Sequence, residues 1–214
     1  MLNIQKFICN MFQENCYVVS DDTNECIIVD CGAFYEEEKK AIIDYIKYNK
    51  LIPVRLICTH AHIDHNFGNY AIYEAFGIKP EVCMDDKVLM RKLKEQAYSF
   101  IGLNYDEEIP DVEKYFNDND EITFGTHCFN ILKTPGHTPG SVLFYCPNES
   151  VAFSGDTLFK MSIGRTDLEF GSYDEIIKSL RNIAVLLPAE TTILPGHGAE
   201  TTLKEEIIYN PYFK

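Results

Sequence analysis

Residues 59–65 read Thr-His-Ala-His-Ile-Asp-His and follow the apolar run 54–58 without a break. The run has the unbroken hydrophobicity of a buried strand, so the chain must leave that strand directly into a polar turn that carries three imidazoles and a carboxylate. The chain has six histidines in all and places half of them here. Taken alone, the cluster is a complete site, half of a site or an accident of a polar loop. The rest of the chain decides.

Strand and helix signals alternate on both sides of the cluster. Residues 15–21 and 25–30 are β-rich runs joined by Asp22-Thr23-Asn24, the pattern of a hairpin. Residues 36–50 carry Ile42, Ile43, Tyr45 and Ile46 at helical spacing, with glutamates early and lysines late as the helix dipole favours. After the cluster, 66–77 reads as a helix ending at Gly77, 81–84 as a short strand and 85–101 as a long amphipathic helix. The acidic segment 102–120 lacks periodicity and reads as a surface connection. Strands follow at 121–124, 128–133, 142–146 and 151–154. Ser172-x-x-Glu175 caps a helix through Leu187, 191–194 is a strand, and Thr202-x-x-Glu205 caps a final helix. Hairpins mixed with strand-to-helix crossovers predict two mixed sheets covered by helices, an α/β chain with no internal repeat and no linker that would divide it.

The formal charge of −14 disfavours nucleic acid and anionic membrane as partners, because both demand a surplus of lysine and arginine. Residues 1–19 hold one lysine and no apolar core with a cleavage site, and no stretch approaches about 18 apolar residues. The expectation is an untargeted cytoplasmic protein. Eight cysteines with no C-x-x-C pair, several inside apolar runs, then read as reduced buried thiols rather than a disulfide framework.

Beyond residues 59–65, His137 in TPGHTPGS, Asp156 in SGDTLF and His197 in LPGHG each follow an expected strand in a turn that holds glycine or proline. Loops at strand ends can converge on one sheet edge without disturbing the core. With His60, His62, Asp64 and His65 they make five histidines and two aspartates, a donor set suited to zinc, manganese or iron(II). A tetrahedral ion takes four ligands including water, so seven protein donors suit a pair of ions about 3.5 Å apart better than one. His127 stands alone and reads as a surface or satisfied residue.

His60-x-His62-x-Asp64-His65 followed by His137, Asp156 and His197 resembles the motif series of the metallo-β-lactamase superfamily. TPGHTPGSV, SGDTLF, SIGRTD and LPGHGAETTLKEEIIYNPY are similar, more narrowly, to the short glyoxalase II-like hydrolases, and the likeness spans nearly the whole chain. It implies one αββα domain over residues 1–214 with two divalent cations at one edge of the sheets, zinc before iron or manganese. By carry-over, His60, His62 and His137 hold one ion, Asp64, His65 and His197 the other, and Asp156 bridges them. Asp64 and Asp156 count as catalytic, and Asp30 in VDCG supports the site from behind its ligands.

Two cations lower the pKa of a shared water from ~15.7 toward ~7, giving hydroxide at neutral pH. The resemblance implies its attack on a small acyl thioester of the hydroxyacylglutathione type, or on another ester, lactone or amide. Two departures bear on the substrate. Glyoxalase II enzymes carry an added basic carboxy-terminal region, and a lysine and tyrosine after the bridging aspartate. Here Arg165 stands in the lysine's stretch and the tyrosine is missing. Arg165 either pairs with a substrate carboxylate or forms a salt bridge with Asp167. Persulfide dioxygenases with a single iron share H-x-H-x-D-H and GRTD, but PGHG here differs from their PAH ending. A non-enzymatic metal module is the third alternative. Secreted β-lactamases carry a signal peptide, and the superfamily's nucleases carry added domains and basic surfaces. Oligomeric state is not legible in the sequence.

Overall fold

Two apolar faces per strand make this fold. In β2 (Glu14–Ser20) Tyr17 and Val19 face one core and Cys16 and Val18 another, so the strand is buried on both sides. The same division recurs in β9 (Val142–Cys146), where Val142, Phe144 and Cys146 alternate with Leu143 and Tyr145. Strands of this kind need a sheet in front and helices behind.

The computed structural model, which describes residues 1–117 and 119–214, supplies both. One sheet runs β1 (Asn3–Cys9), β2, β3 (Glu25–Val29), β4 (Ile52–Ile57), β5 (Pro80–Cys83) and β6 (Lys114–Phe116) in that spatial order. It starts as an antiparallel meander and continues parallel from β3. The other is ordered β14 (Thr201–Thr202), β13 (Thr192–Pro195), β10 (Val151–Gly155), β9, β8 (His127–Lys133) and β7 (Glu121–Phe124), with only β10 and β13 parallel. β11 (Leu158–Phe159) and β12 (Ser162–Ile163) form a separate small hairpin. Between the sheets lie Phe116, Phe129, Phe144 and Phe153 with Tyr17 and Ile57.

Outside the first sheet pack α1 (Glu36–Tyr48), α2 (Asn69–Phe76), α3 (Lys87–Met90) and α4 (Leu93–Ile101). Outside the second pack α5 (Tyr173–Leu186) and α6 (Leu203–Tyr209). Ser172 Oγ accepts from Glu175 N and Thr202 Oγ1 from Glu205 N, so both expected caps form. Gly77 ends α2 with φ +75°, a left-handed terminus that glycine adopts without steric cost. All eight cysteines are free thiols, and among the described residues no helix is long and apolar enough to cross a membrane.

Three elements differ from the sequence reading. The helix expected over 85–101 breaks into α3 and α4, because the Leu89 carbonyl accepts from both Lys92 N and the Gln96 side chain, closing a turn. The stretch 102–120, which includes residue 118 outside the described residues, is more than a surface connection. Tyr105 is buried with its hydroxyl donating to the Phe67 carbonyl, and β6 adds an edge strand. The strand β1, which the sequence reading did not place, pairs with β2 along its full length.

Candidate metal centre

Four turns meet at one end of the two sheets. The turn after β4 carries His60, His62, Asp64 and His65, the turn after β8 His137, the end of β10 Asp156, and the turn after β13 His197. Asn15 of β2 ties the last of these across the sandwich: its backbone N–H donates to the Gly196 carbonyl at 2.7 Å, and its side chain to the Pro195 and Gly198 carbonyls at 2.9 and 3.0 Å. Tyr17 OH adds a bond to the Pro195 carbonyl.

All seven expected donors come together, in two groups. His60, His62 and His137 form one, with His62 Nδ1 2.8 Å from His137 Nε2. Asp64, His65 and His197 form the other, with His65 Nε2 3.2 Å from His197 Nε2 and His197 Nε2 3.4 Å from Asp64 Oδ2. Asp156 stands between them: its Oδ2 is 3.5 Å from His137 Nε2 and its Oδ1 3.3 Å from His65 Nε2. Close approach here demands glycine. A Cβ on Gly196 would meet Asp156 Oδ1 at 2.5 Å and His65 Cε1 at 2.6 Å, and one on Gly164 would meet the Asp156 carbonyl at 1.8 Å.

Most imidazoles are oriented from behind. His65 Nδ1 donates to Asp30 Oδ2 at 3.0 Å, His137 Nδ1 to the Arg165 carbonyl at 2.7 Å and His197 Nδ1 to the Phe12 carbonyl at 3.0 Å. The Thr59 hydroxyl donates to Asp30 Oδ2, so it accepts from His60 Nδ1 at 3.1 Å. Four rings therefore carry a proton on Nδ1 and aim Nε2 inward, while His62 turns Nδ1 inward instead. Asp30 reaches both Thr59 and His65 from a left-handed backbone, φ +51°, at the end of β3.

Charge follows burial and neighbours. Burial, with His137 beside it, pushes His62 down to about 3, and burial with His65 and His137 nearby holds His60 well below the usual range. Burial acts the same way on His65, but the carboxylates of Asp156, Asp64 and Asp30 outweigh it and raise this ring well above the ordinary value. Against their own burial, Asp64 and Asp156 are lowered, chiefly by His65. The carboxylates thus favour a positive charge among them.

This donor set fits a cation. His60 Nε2 and Asp156 Oδ1 are buried without a hydrogen-bond partner, and imidazole nitrogens face one another at hydrogen-bond distance. Polar atoms so placed are expensive unless something positive satisfies them.

The family model of the metallo-beta-lactamase superfamily matches residues 9–197. The chain belongs to that superfamily. Proteins of that superfamily bind divalent metals, often zinc, and the His60–His197 groups are close enough together to hold such ions. Hydroxyacylglutathione hydrolase GloC of Haemophilus influenzae is 36% identical over 213 residues, covering 99% of this chain and 98% of that protein. Among solved structures, the BLEG-1 B3 metallo-beta-lactamase superposes with a TM-score of 0.90 at 31% identity, over 99% of this chain and 100% of the other. TTHA1623 in a di-iron-bound form follows at 0.86 and 31%, over 97% and 99%.

A cleft of about 440 Å³ opens over the donors, walled by Phe12, Ser99, Phe100 and Leu168. Arg165 stands at its rim with its guanidinium forked onto Asp167 at 2.8 and 2.7 Å, the salt bridge that was one of its two readings. Sequence reasoning missed the residues that fix the turns. Asp86 is fully buried and accepts from Ala61 N at 2.9 Å, Gly140 N at 2.6 Å and Thr138 Oγ1 at 2.8 Å, joining the turns of His62 and His137. Gln96 accepts from Ile63 N and donates to the Ala61 carbonyl. Nothing in DDKVLM or EQAYSF separates these two from exposed polar residues. His127, set aside from the start, is far from the centre, buried between Asp21 and Glu149 at 2.9 and 3.1 Å.

Proposed function

We propose that this chain is a cytoplasmic single-domain hydrolase of small acyl thioesters, hydroxyacylglutathione hydrolase-like, that works with two divalent ions, zinc foremost. The observation that carries the reading is the placement of Asp156, one oxygen toward each donor group. His60, His62 and His137 would hold one ion, Asp64, His65 and His197 the other, and Asp156 both. When bound, such ions acidify water and polarise a carbonyl.

The remaining residues bear on the leaving group. With the histidines and aspartates committed as ligands, the polar side chains left in the cleft lining are Ser99 and Arg165, neither a proton donor at neutral pH. A leaving group must then depart without help from a general acid. A thiolate does so readily, with a parent thiol pKa near ~8.5, and an amide nitrogen does not. The Haemophilus influenzae relative supports the same choice through its name. Arg165 would draw a substrate anion toward the rim in competition with Asp167. A net charge of −14 makes nucleic acid and anionic membrane poor partners.

Purified protein should contain two zinc ions per chain and hydrolyse S-lactoylglutathione, lose turnover on chelation and regain it on metal return. One iron per chain, with oxygen uptake on glutathione persulfide and no thioester turnover, would replace this reading by the persulfide dioxygenase one. β-Lactam hydrolysis without thioester turnover would replace it by that of BLEG-1.

Asp30→Asn tests the support behind the ligands. An amide nitrogen would face His65 Nδ1–H and the Thr59 hydroxyl, which now donate to Asp30 Oδ2. Zinc affinity should fall about 10–100-fold, read by competition with a chromophoric chelator. Wild-type affinity in the variant would deny Asp30 its role.

A further inference from the structure

A second recess, about 210 Å³, opens from the cleft between α4 and residues 165–170, and His62, Ser99, Phe100 and Leu168 line both. Resting on the thioester reading above, we infer that this recess is the acyl site and that the enzyme accepts uncharged acyl groups, including ones extended beyond the α-carbon by an apolar chain.

Of the polar residues along it, Gln96, Lys92 and Glu169 are already engaged. Gln96 is buried, and its amide accepts from Ile63 N and donates to the Ala61 and Leu89 carbonyls, so it offers a ligand no free donor. Lys92 Nζ is bound to Glu169 at 2.7 Å and lies 5.6 Å from the centre of the Phe170 ring. The apolar lining is Leu89, Phe100 and Leu168, with Ser99 and Glu95 beside them and the Phe100 ring edge-on to His62 at 5.8 Å. Glu95 on the same wall repels a carboxylate, which excludes a dicarboxylic acyl group.

Position assigns the two halves of the substrate. Buried Leu89 and Gln96 back the recess and the Lys92–Glu169 pair flanks it, so it admits a chain of limited length. The thiol carrier, larger and polar, is left the other arm of the cleft, past Phe12, His197 and Arg165. Both cations that line the two spaces are paired with carboxylates, a poor match for a carrier bearing several phosphates.

The test is a chain-length ladder from acetyl to octanoyl thioesters of N-acetylcysteamine on zinc-loaded enzyme, run beside binding of the corresponding free carboxylic acids by calorimetry. Both kcat/KM and acid affinity should climb about fourfold per methylene, the value of ~0.8 kcal/mol per buried CH₂, until the recess is full. Ser99→Phe, an exposed helix position whose new ring would fill the recess, should flatten both ladders, and Leu168→Ala should move their upper limit to longer chains. A flat wild-type ladder, or one unchanged in Ser99→Phe, overturns the acyl assignment while leaving thioester hydrolysis intact. A binding ladder that persists with no thioester turned over keeps the recess and removes the thioester reading instead.

Discussion

His137→Ala should abolish turnover and lower metal content, while His127→Ala should leave metal content and specific activity near wild type and lower stability instead. The two residues are both buried histidines on or just after β8, so the contrast isolates position from residue type. His137 aims Nε2 at His62 Nδ1 and Asp156 Oδ2, so alanine removes a proposed ligand outright. The loss should exceed the ~10–100-fold that an outer partner costs. Zinc should also raise the variant's melting temperature less than it raises wild type's, since a ligand stabilises the fold in proportion to its occupancy. His127 instead sits between Asp21 and Glu149. Burial alone would raise Asp21, but hydrogen bonds from Thr126, Thr23 and His127 hold it well below the usual carboxylate range. Alanine leaves that carboxylate one hydrogen bond short while the threonine donors stay, a loss of ~1.5–3 kcal/mol for a bond to a charged group. For a chain of this size that is roughly 3–12 °C in melting temperature. Equal metal loss in the two variants would mean the donor set is wrongly drawn.

What the sequence revealed and what it hid divide along a physical line. Donors were legible because an imidazole or carboxylate in a glycine-bearing turn after a strand has few structural reasons to be there, and seven such residues in order have fewer. The strands 142–146 and 151–154 were legible because both faces are apolar, and the caps at Ser172 and Thr202 because their partners lie three residues on. Asp86 and Gln96 were not, since their partners are backbone groups of Ala61, Ile63 and Gly140, far away in sequence and without a side-chain signature. β1 escaped because its burial alternates irregularly at a sheet edge, with Ile8 exposed. The packing of Tyr105 escaped because a segment that wraps over a core has no period to detect. Residues that do chemistry announce themselves by type, whereas residues that hold them in place are defined by contact.

Asp86→Ala should therefore produce the largest loss of stability of any single polar change near the site. Its carboxylate takes three hydrogen bonds in a fully buried position, and alanine offers none in return. The Thr138 hydroxyl keeps Ser141 Oγ at 2.8 Å, but stranding the Ala61 and Gly140 amides costs ~1–3 kcal/mol each, together about 2–6 kcal/mol of a total that is ~5–15 for a typical domain. Asp86→Asn should do little better, because its amide nitrogen must face one of these donors. Gly140→Ala attacks the same clamp from the other side, since its Cβ would meet Asp86 at 2.6 Å. The clamp also spaces His62 from His137, so the variants should bind zinc more weakly at that donor group than at the one built from Asp64, His65 and His197. Urea unfolding followed by circular dichroism reads the first effect, and stepwise zinc titration the second. Stability within about 0.5 kcal/mol of wild type, where changes on an ordinary surface fall, would reduce Asp86 to a bystander. A large loss of stability with two unaltered zinc sites would make it a structural tie with no hold on the ligands.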